Sequence, residues 1–413
     1  MVVYSTVPLG MREKLLTKNV QKIPRGIWAL GLVSLFMDAS SELVHSLLPA
    51  LYVSLGVSMA AVGIIEGVAE ATAAITKVFS GALSDWLGKR KILAVIGYGL
   101  AAVTKPLFPL AQSVEVLFTA RFIDRIGKGI RGAPRDALIA DITPPSVRGA
   151  AYGLRQSLDA AGGFIGPLLA LVLMALFSDN IPLVLWFALI PAVLCMVFLV
   201  FGVEEPDAIQ ATRNKDGKCS LPLHRADIAQ MSGSYWLVVA IGGMFALARF
   251  SVAFLALRAM DLGLPIGLSP FVLVLMGVVF SLSSYPVGVL ADRMDRGRLL
   301  ALGFVALILA ELVLASASGY VSAMIGVAIW GVHMGFTQGL LSALVADSAP
   351  DHLRGTAFGI FNLVNGIALL FASLVAGMLW QGMGASVTFY SGAVFAGIAL
   401  LLLLISFRSR HWT

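Results

Sequence analysis

Long apolar stretches are the feature that most constrains what this chain can fold into. In windows of about 19 residues there are twelve of them, near 27–53, 60–84, 92–112, 116–141, 149–177, 182–203, 235–259, 268–291, 299–318, 321–347, 355–380 and 386–407. A helix needs about 20 apolar residues to cross a hydrocarbon layer about 30 Å thick. Because 59% of the residues are hydrophobic and only 13% are charged, a soluble globular fold is excluded. The sequence predicts an all-α membrane protein with twelve transmembrane helices.

Basic residues fall in alternate connections between these stretches. They are Arg12, Lys14, Lys18, Lys22 and Arg25, then Lys89, Arg90 and Lys91, Arg148, those of 204–234, Arg293, Arg296 and Arg298, Arg354, and finally Arg408 and Arg410. Basic loops stay in the cytoplasm, so the pattern predicts that both termini are cytoplasmic. We expect a multi-pass protein of the plasma (inner) membrane.

The chain divides into two halves of six stretches. One repeat pairs ALIADITPPSVRGAAYG at 137–153 with ALVADSAPDHLRGTAFG at 343–359, with nine identities in 17 positions at an offset of 206. A second pairs GALSDWLGKRK at 81–91 with GVLADRMDRGR at 288–298, at an offset of 207. The predicted organisation is a cytoplasmic segment 1–26, a six-helix bundle 27–203, a cytoplasmic linker 204–234, a pseudo-symmetric six-helix bundle 235–407 and a cytoplasmic tail 408–413. Such duplicated halves, with a site between them, are typical of secondary transporters.

Charged residues inside the apolar stretches concentrate in the first half. They are Asp38, Glu42 and His45, then Glu66, Glu70 and Lys77, then Lys105, then Arg121, Asp124, Arg125, Lys128, Arg131, Arg135 and Asp136, and finally Arg155 and Asp159. A charge at the centre of a membrane helix costs about 2.5–3.5 kcal/mol, so these groups must face one another or water.

Helical geometry allows these charges to face one another. At about 100° per residue, the acidic groups of the first two stretches form stripes, and Arg121, Arg125, Lys128 and Arg135 form a basic stripe in the fourth. We expect the stripes to surround a hydrated cavity. A carboxylate there, beside a cation that a solute can displace, is what a proton-coupled carrier requires. The alternative is a static salt-bridge lattice that only holds the helices together.

The second half has few ionisable groups within its apolar stretches. They are Arg249, Glu311 and His333, beside the neutral polar residues Gln338, Asn362 and Asn365. Arg249 either faces the cavity or pairs locally. His333 with Met334 is better explained by helix packing than by a metal, so no metal site is predicted. A cavity charged on one side and apolar on the other suits an amphipathic or zwitterionic solute.

One loop motif occurs in both halves. It reads Gly81-x-x-x-Asp85-x-x-Gly88-Lys89-Arg90-Lys91 after the second stretch, and a partial copy spans Gly288–Arg298. This motif resembles the signature loop of the major facilitator superfamily. The sequence departs from the family pattern at Trp86 and at Asp295. The resemblance implies that this loop stabilises one alternating-access state, with Asp141 as the partner of its basic cluster.

Two further motifs extend the resemblance. Arg121 stands in ARFIDRIGKG, which is similar to the family's R-x-x-Q-G motif but has Asp124-Arg125 in place of Gln-Gly. Gly153-x8-Gly162-x3-Gly166-Pro167 resembles the motif of proton-driven exporters, with Ala170-Leu171 in place of its closing Gly-Gly. The alternative for these glycines is close helix packing.

Several other classes of function are disfavoured. Gly127–Gly132 reads G-x-G-x-x-G, but it lies inside a predicted membrane helix without a βαβ unit. No G-x-x-x-x-G-K-[ST], H-E-x-x-H or G-x-S-x-G occurs, and Cys195 and Cys219 are too few for a disulfide framework or a cysteine metal cluster. We therefore expect neither an enzyme nor a nucleic-acid binder, and no cofactor.

The sequence as a whole predicts a proton-coupled secondary transporter, and an exporter of a drug or metabolite in particular. The proton-coupling candidates are Asp38, Glu42, Arg121, Asp124 and Arg125. The substrate-binding candidates are His45, Glu66, Glu70, Lys128, Arg155, Asp159, Arg249, Gln338, Asn362 and Asn365. The gating candidates are Gly81, Asp85, Gly88, Lys89, Arg90, Asp141, Arg148, Gly162, Gly166, Pro167, Gly288, Asp292, Arg293, Asp347 and Arg354.

The expected partners are a small-molecule substrate, protons and the lipid bilayer, and the expected state is a monomer. Two alternatives remain open. One is an importer or exporter of a charged nutrient, a metal ion or a metal chelate. The other is a non-transporting membrane sensor or scaffold, which the concentration of charge in the first half disfavours.

Overall fold

The computed structural model describes residues 24–87, 89–144, 147–204, 228–291, 294–350 and 353–408. These residues form helices joined by short connections, and no β-strand occurs among them. Most of the predicted linker and most of both predicted terminal segments lie outside the described residues. The fold is all-α, as predicted.

The described helices are numbered in chain order. They are α1 (Arg25–Ser54), α2 (Met59–Leu87), α3 (Arg90–Thr104), α4 (Val114–Ile142), α5 (Arg148–Leu176), α6 (Ile181–Trp186), α7 (Leu189–Gly202), α8 (Gly233–Ala248), α9 (Ala253–Asp261), α10 (Ser269–Ala291), α11 (Arg296–Ser316), α12 (Tyr320–Ser348), α13 (Arg354–Met383) and α14 (Ala385–Arg408). The 3₁₀ turns Lys105–Leu107 and Ile266–Leu268 follow α3 and precede α10.

Ten spans among the described residues are long and apolar enough to cross a membrane. Helices α6 and α7 together form one of these spans, and α8 and α9 together form another. The remaining two predicted spans correspond to α3, which has 15 residues, and to α4, which is rich in charge. The chain is a multi-pass integral membrane protein, and the count of twelve stays a prediction.

The helix boundaries follow the predicted stretches closely, with two exceptions. The third stretch was predicted to reach 112, but its helical structure ends at Leu107, because Pro106 lacks an amide hydrogen. The sixth and seventh stretches are each broken into two helices, at 187–188 and at 249–252.

Local capping explains where several helices begin. The side chains of Asn180, Ser232 and Asp295 accept hydrogen bonds from backbone amides three residues later. These bonds satisfy donors that have no partner within the helix. After α13, Gly384 takes a φ of 92°, a left-handed conformation that favours glycine.

Glycines allow close packing both within the first half and between the halves. In the first half, a Cβ built on Gly166 of α5 would lie 2.6 Å from the carbonyl oxygen of Ala39 in α1. Between the halves, a Cβ built on Gly67 of α2 would lie 2.9 Å from the carbonyl oxygen of Leu370 in α13. The backbones approach closely because these positions lack side chains.

The two halves share a turn and an ion pair at equivalent positions. The amide of Val147 donates to the carbonyl of Pro144 at 3.1 Å, and the amide of Leu353 donates to that of Pro350 at 2.9 Å. Each half also has an arginine–aspartate pair: Arg90 with Asp141, and Arg296 with Asp347. All these residues are related by the offset of 206 read from the sequence.

Candidate functional site in a cavity between the halves

A cavity of about 620 Å³ lies between the two halves. The first half lines it with Asp38, Glu42, Glu70, Ala73, Ala74, Lys77, Lys128, Arg131, Gly132, Arg135, Asp159, Ala160, Gly163, Phe164 and Pro167. The second half lines it with Leu273, Val274, Met276, Gly277, Phe280, Ser281, Met334, Asn362, Asn365, Gly366 and Leu369. Charged side chains therefore form one wall, and the opposite wall is apolar and neutral.

Two hydrogen bonds join the halves at the end where α1 ends and α2 begins. There the amide of Met59 donates to Gln381 at 3.1 Å, and the hydroxyl of Ser269 donates to the carbonyl of Ser46 at 3.2 Å. Towards the other end, Tyr285 of α10 continues the cavity-facing row of Gly277 and Ser281 and is 79% exposed. The cavity is thus closed at the first end and open at the second.

The deepest ion pair joins α2 to α4. Arg121 lies 3.0 Å from Glu66, and both side chains are buried. The Tyr52 hydroxyl donates to the same carboxylate at 2.6 Å, and the Ser251 hydroxyl donates to it at 3.1 Å. Because Ser251 belongs to the break between α8 and α9, this carboxylate also links the two halves. The sequence analysis singled out neither Tyr52 nor Ser251.

Two further pairs hold α4 against its neighbours. Arg125 lies 3.2 Å from Glu70 of α2. The Lys105 ammonium donates to Asp124 at 2.9 Å and to Ser41 at 3.1 Å. Asp124 and Arg125 thus lie behind the cavity wall, and of these four charged residues only Glu70 lines the cavity.

The open part of the cavity contains longer ion pairs. Asp38 lies 3.6 Å from Arg131, which stacks over the Tyr98 ring at 4.9 Å. Asp159 lies 3.6 Å from both Arg135 and Arg155. These pairs exceed ordinary hydrogen-bond length, which leaves room for a proton, water or a solute to intervene.

Two cavity carboxylates have closer neighbours of their own. Glu42 lies 3.1 Å from the ring of His45, one helical turn away on α1. The carboxyl groups of Asp38 and Asp159 also contact each other, which joins α1 to α5. Nothing in the sequence pairs these two aspartates, since their contact depends on how α1 packs against α5.

Comparison with known proteins identifies the family. The family model described as Major Facilitator Superfamily matches residues 30–373. The chain belongs to the Major Facilitator Superfamily. It is 31% identical over 399 residues to an uncharacterized MFS-type transporter of Methanocaldococcus jannaschii, covering 94% of this chain and 96% of that protein.

Solved structures confirm the major facilitator fold. The nucleoside transporter NupG superposes with a TM-score of 0.71 at 15% identity, covering 92% of this chain and 97% of that one. A D-xylose-proton symporter superposes with a TM-score of 0.70 at 18% identity, covering 92% and 95%. The protein is therefore a major facilitator transporter and not an enzyme, as the sequence predicted.

The signature-loop residues of this major facilitator protein cluster at the open end. Arg90 lies 2.7 Å from Asp141, so the pairing implied by the resemblance is present. In the second half the partner of Asp347 is Arg296, which the gating candidates omitted although it is related to Arg90 by the repeat offset. The side chain of Asp85 and all of Gly88, Asp292 and Arg293 lie outside the described residues.

The other gating candidates occupy varied surroundings. Arg354 donates to the carbonyl of Ala346 at 3.3 Å, which ties the start of α13 to α12. Gly81 packs against Ala133, whereas a Cβ built on Gly288 would meet open space. Lys89 and Arg148 are exposed. Gly162 and Gly166 pack α5 onto α1, and Pro167 lines the cavity.

Several substrate-binding candidates lie away from the cavity lining. Those outside it are His45, Glu66, Arg155, Arg249 and Gln338, and those within it are Glu70, Lys128, Asp159, Asn362 and Asn365. Arg249 lies outside the lining of this cavity, and its guanidinium lies over the Phe245 ring at 5.5 Å. The reason is that the helix breaks immediately after α8, which turns Arg249 towards the aromatic cluster.

Buried polar groups of the second half sit among aromatic rings. His333 contacts the rings of Phe245 and Trp330, with centroids 6.1 and 5.2 Å apart. Glu311 is fully buried against Gly392 of α14. Among the described residues, no group of three or more histidine, cysteine or acidic residues is arranged to hold a metal ion.

Proposed function

We propose that this protein is a secondary active transporter that moves a small organic solute by alternating access, coupled to protons, and that it exports a drug or metabolite. The observation that carries the proposal is the cavity between the halves, closed at one end and lined by carboxylates and cations from α1, α2, α4 and α5. Paired charges in a hydrated membrane cavity are the ordinary mark of a solute or proton pathway.

Alternating access follows from the way the halves meet. The cavity opens towards the end that carries the basic loop residues, which the positive-inside rule assigns to the cytoplasm. On that assignment we propose an inward-open conformation for this protein, which we place in the inner membrane with twelve spans. Rocking of the halves about the cavity would open the end near Met59 and Gln381 and close the other.

Asp38 is the residue best placed to carry the coupled proton. Its partner Arg131 is 3.6 Å away, its carboxyl contacts Asp159, and it lines the open cavity. Two carboxylates in contact favour holding one proton between them. Solute that enters beside Arg131 would change how strongly that proton is held, and this would couple the transport of solute to the transport of protons. Glu42 and the pairs of Arg121, Asp124 and Arg125 would support this site.

Everted membrane vesicles with an imposed pH gradient test the proposal. A panel of cationic, zwitterionic and anionic compounds is added to vesicles that carry wild type, Asp38→Asn or Glu115→Gln. Glu115 is an exposed carboxylate at the far end of α4, so its amide variant is a matched control. We expect at least one compound to dissipate the gradient in vesicles that carry wild type or the control variant. The same compound should not dissipate it in vesicles that carry Asp38→Asn. Equal proton movement in all three proteins would refute the assignment of Asp38.

A further inference from the structure

Two lysines occupy the same wall of the cavity. Lys77 of α2 and Lys128 of α4 both line it, and both side chains are exposed there. Gly132 lies one turn after Lys128, and therefore on the same face of α4. A Cβ built on Gly132 would lie 3.7 Å from Cε of Lys77. The two side chains are thus about one helical turn apart along one wall.

The carboxylates that line this cavity already have basic partners. Asp38 pairs with Arg131, Glu42 with His45, Glu70 with Arg125, and Asp159 with Arg135 and Arg155. Across the described ranges, no carboxylate oxygen lies within 4.0 Å of the ammonium group of Lys77 or Lys128. Within the described residues, the ammonium groups of Lys77 and Lys128 therefore have no carboxylate at ion-pair distance.

A third donor lies beside these lysines. The Nη2 atom of Arg131 faces Asp38, whereas its Nη1 atom is buried and has no hydrogen-bond partner within the described structure. A buried donor without a partner costs free energy, and a small shift of the Arg131 guanidinium towards a ligand oxygen in the cavity would recover it. Arg131 follows Lys128 by three positions, so the two side chains are neighbours on α4.

The opposite wall indicates what else the solute contains. Leu273, Met276 and Phe280 of α10 face the cavity from the second half. Apolar surface of this kind binds an aromatic or aliphatic body, while a few polar groups fix its orientation. A solute that satisfies both walls has an acidic group at one end and an apolar body at the other.

We infer that Lys77, Lys128 and Arg131 form a subsite for the acidic group of an organic anion, either a carboxylate or a phosphate, whose apolar body lies against α10. This inference rests on the proposed function, because it names the class of solute that the same cavity takes. Among the solutes that fit the cavity, this subsite would bind those that carry an acidic group.

Binding to the purified protein in detergent tests the subsite directly. The probes are radiolabelled benzoate and phenyl phosphate, with benzyl alcohol and benzylamine as neutral and cationic competitors. We expect saturable binding of at least one anion, which the neutral and cationic compounds displace poorly. If the subsite binds a carboxylate, benzoate should bind more tightly than phenyl phosphate. If it binds a phosphate, phenyl phosphate should bind more tightly.

Matched variants assign the binding to the two lysines. Lys128→Gln and Lys77→Gln are each expected to weaken anion binding by about tenfold, the usual effect of losing a hydrogen bond to a charged group. Lys128→Arg, which keeps the charge, should retain most of the affinity. Arg298→Gln removes the same charge from an exposed position on α11 and should bind as wild type does. Monodisperse elution during size-exclusion chromatography confirms that each variant is folded.

Two outcomes would overturn the inference. One is equal anion affinity in wild type and in the Lys77→Gln/Lys128→Gln double variant, and the other is no anion binding while benzylamine binds. The vesicle assay separates this failure from that of the proposed function. If a cation drives proton movement and no anion binds, the transporter proposal holds and the subsite fails. If anions bind but no compound moves protons, the subsite holds and proton coupling fails.

Discussion

In the first half, α4 uses its arginines to bind carboxylates of α1, α2 and α5, whereas the equivalent helix α12 lies among aromatic rings. At the repeat offset, Arg121 corresponds to Val327, Asp124 to Trp330 and Lys128 to Met334. The ends of the same helices are alike, since Arg90–Asp141 and Arg296–Asp347 occupy matching positions. The ends of the two helices are therefore alike, while their middles differ, one belonging to a charged wall and the other to an apolar wall.

Because the middles of α4 and α12 differ, we infer that the two halves have different roles. Equal ion pairs at the ends of both halves suit a movement in which each half behaves as a unit. Unequal middles suit a cavity in which one half handles charge and the other receives the apolar part of a solute. Variants at matched positions of the two halves distinguish these roles.

Breaking the deepest pair of the first half should have the largest effect. Arg121→Gln leaves the buried carboxylate of Glu66 without its cation, which typically costs about 3–5 kcal/mol. We expect a large fall in the thermal unfolding temperature of the detergent-purified protein. The control is Arg298→Gln, which removes an exposed arginine of the second half. Similar unfolding temperatures for both variants would show that the charged wall is not structurally distinct.

Glycine packing of α5 onto α1 should show the next largest effect. The second half has Ala372 where the first has Gly166, so only the first requires this close approach. Gly166→Ala places a methyl group against the carbonyl of Ala39, and overpacking of this kind costs about 1–3 kcal/mol. Thermal unfolding of Gly153→Ala gives the control, because a Cβ there would meet open space. Equal stability of the two variants would remove the packing explanation for the glycine motif.

The matching ion pairs at the helix ends should show the smallest effect. Their side chains are 19% and 24% exposed for Arg90 and Asp141, but 43% and 60% exposed for Arg296 and Asp347. Exposed pairs contribute about 0.2–1 kcal/mol. We expect Arg296→Ala to change the unfolding temperature little and Arg90→Ala to change it more. The double reversal Arg296→Asp/Asp347→Arg should restore the wild-type value, and a larger effect of Arg296→Ala would contradict the comparison.

Most of the architecture was predictable because hydropathy reports it directly. The apolar stretches locate the helices, and the offset of 206 locates the repeated turn at Pro144 and Pro350. The concentration of charge in the first half also predicts that α4 faces α1 and α2. These features depend on local composition or on internal repetition, both of which a single sequence contains.

The individual partners were not predictable, because they depend on how helices rotate and slide against one another. The sequence grouped Arg121 with Asp38 and Glu42 as proton-coupling candidates, and it could not show that the ion-pair partner of Arg121 is Glu66. The break after α8 has no glycine or proline in Arg249–Val252 to signal it, so the sequence left open whether Arg249 faces the cavity or pairs locally. By contrast, Pro106 did signal the early end of the third stretch, and the apolar residues after it masked that signal.

Rocking of the two halves about the cavity should change the distances between them in opposite directions at the two ends of the cavity. Spin labels are placed at Gly149 and Tyr285 across the open end, and at Val53 and Met383 across the closed end, with Cys195 and Cys219 replaced by alanine. Pulsed electron resonance then measures both distances in liposomes at pH 8 and at pH 5.5. We expect the first distance to shorten on protonation while the second lengthens, and we expect Asp38→Asn to abolish this response to pH. Distances that change in the same direction, or that do not change, would contradict this expectation.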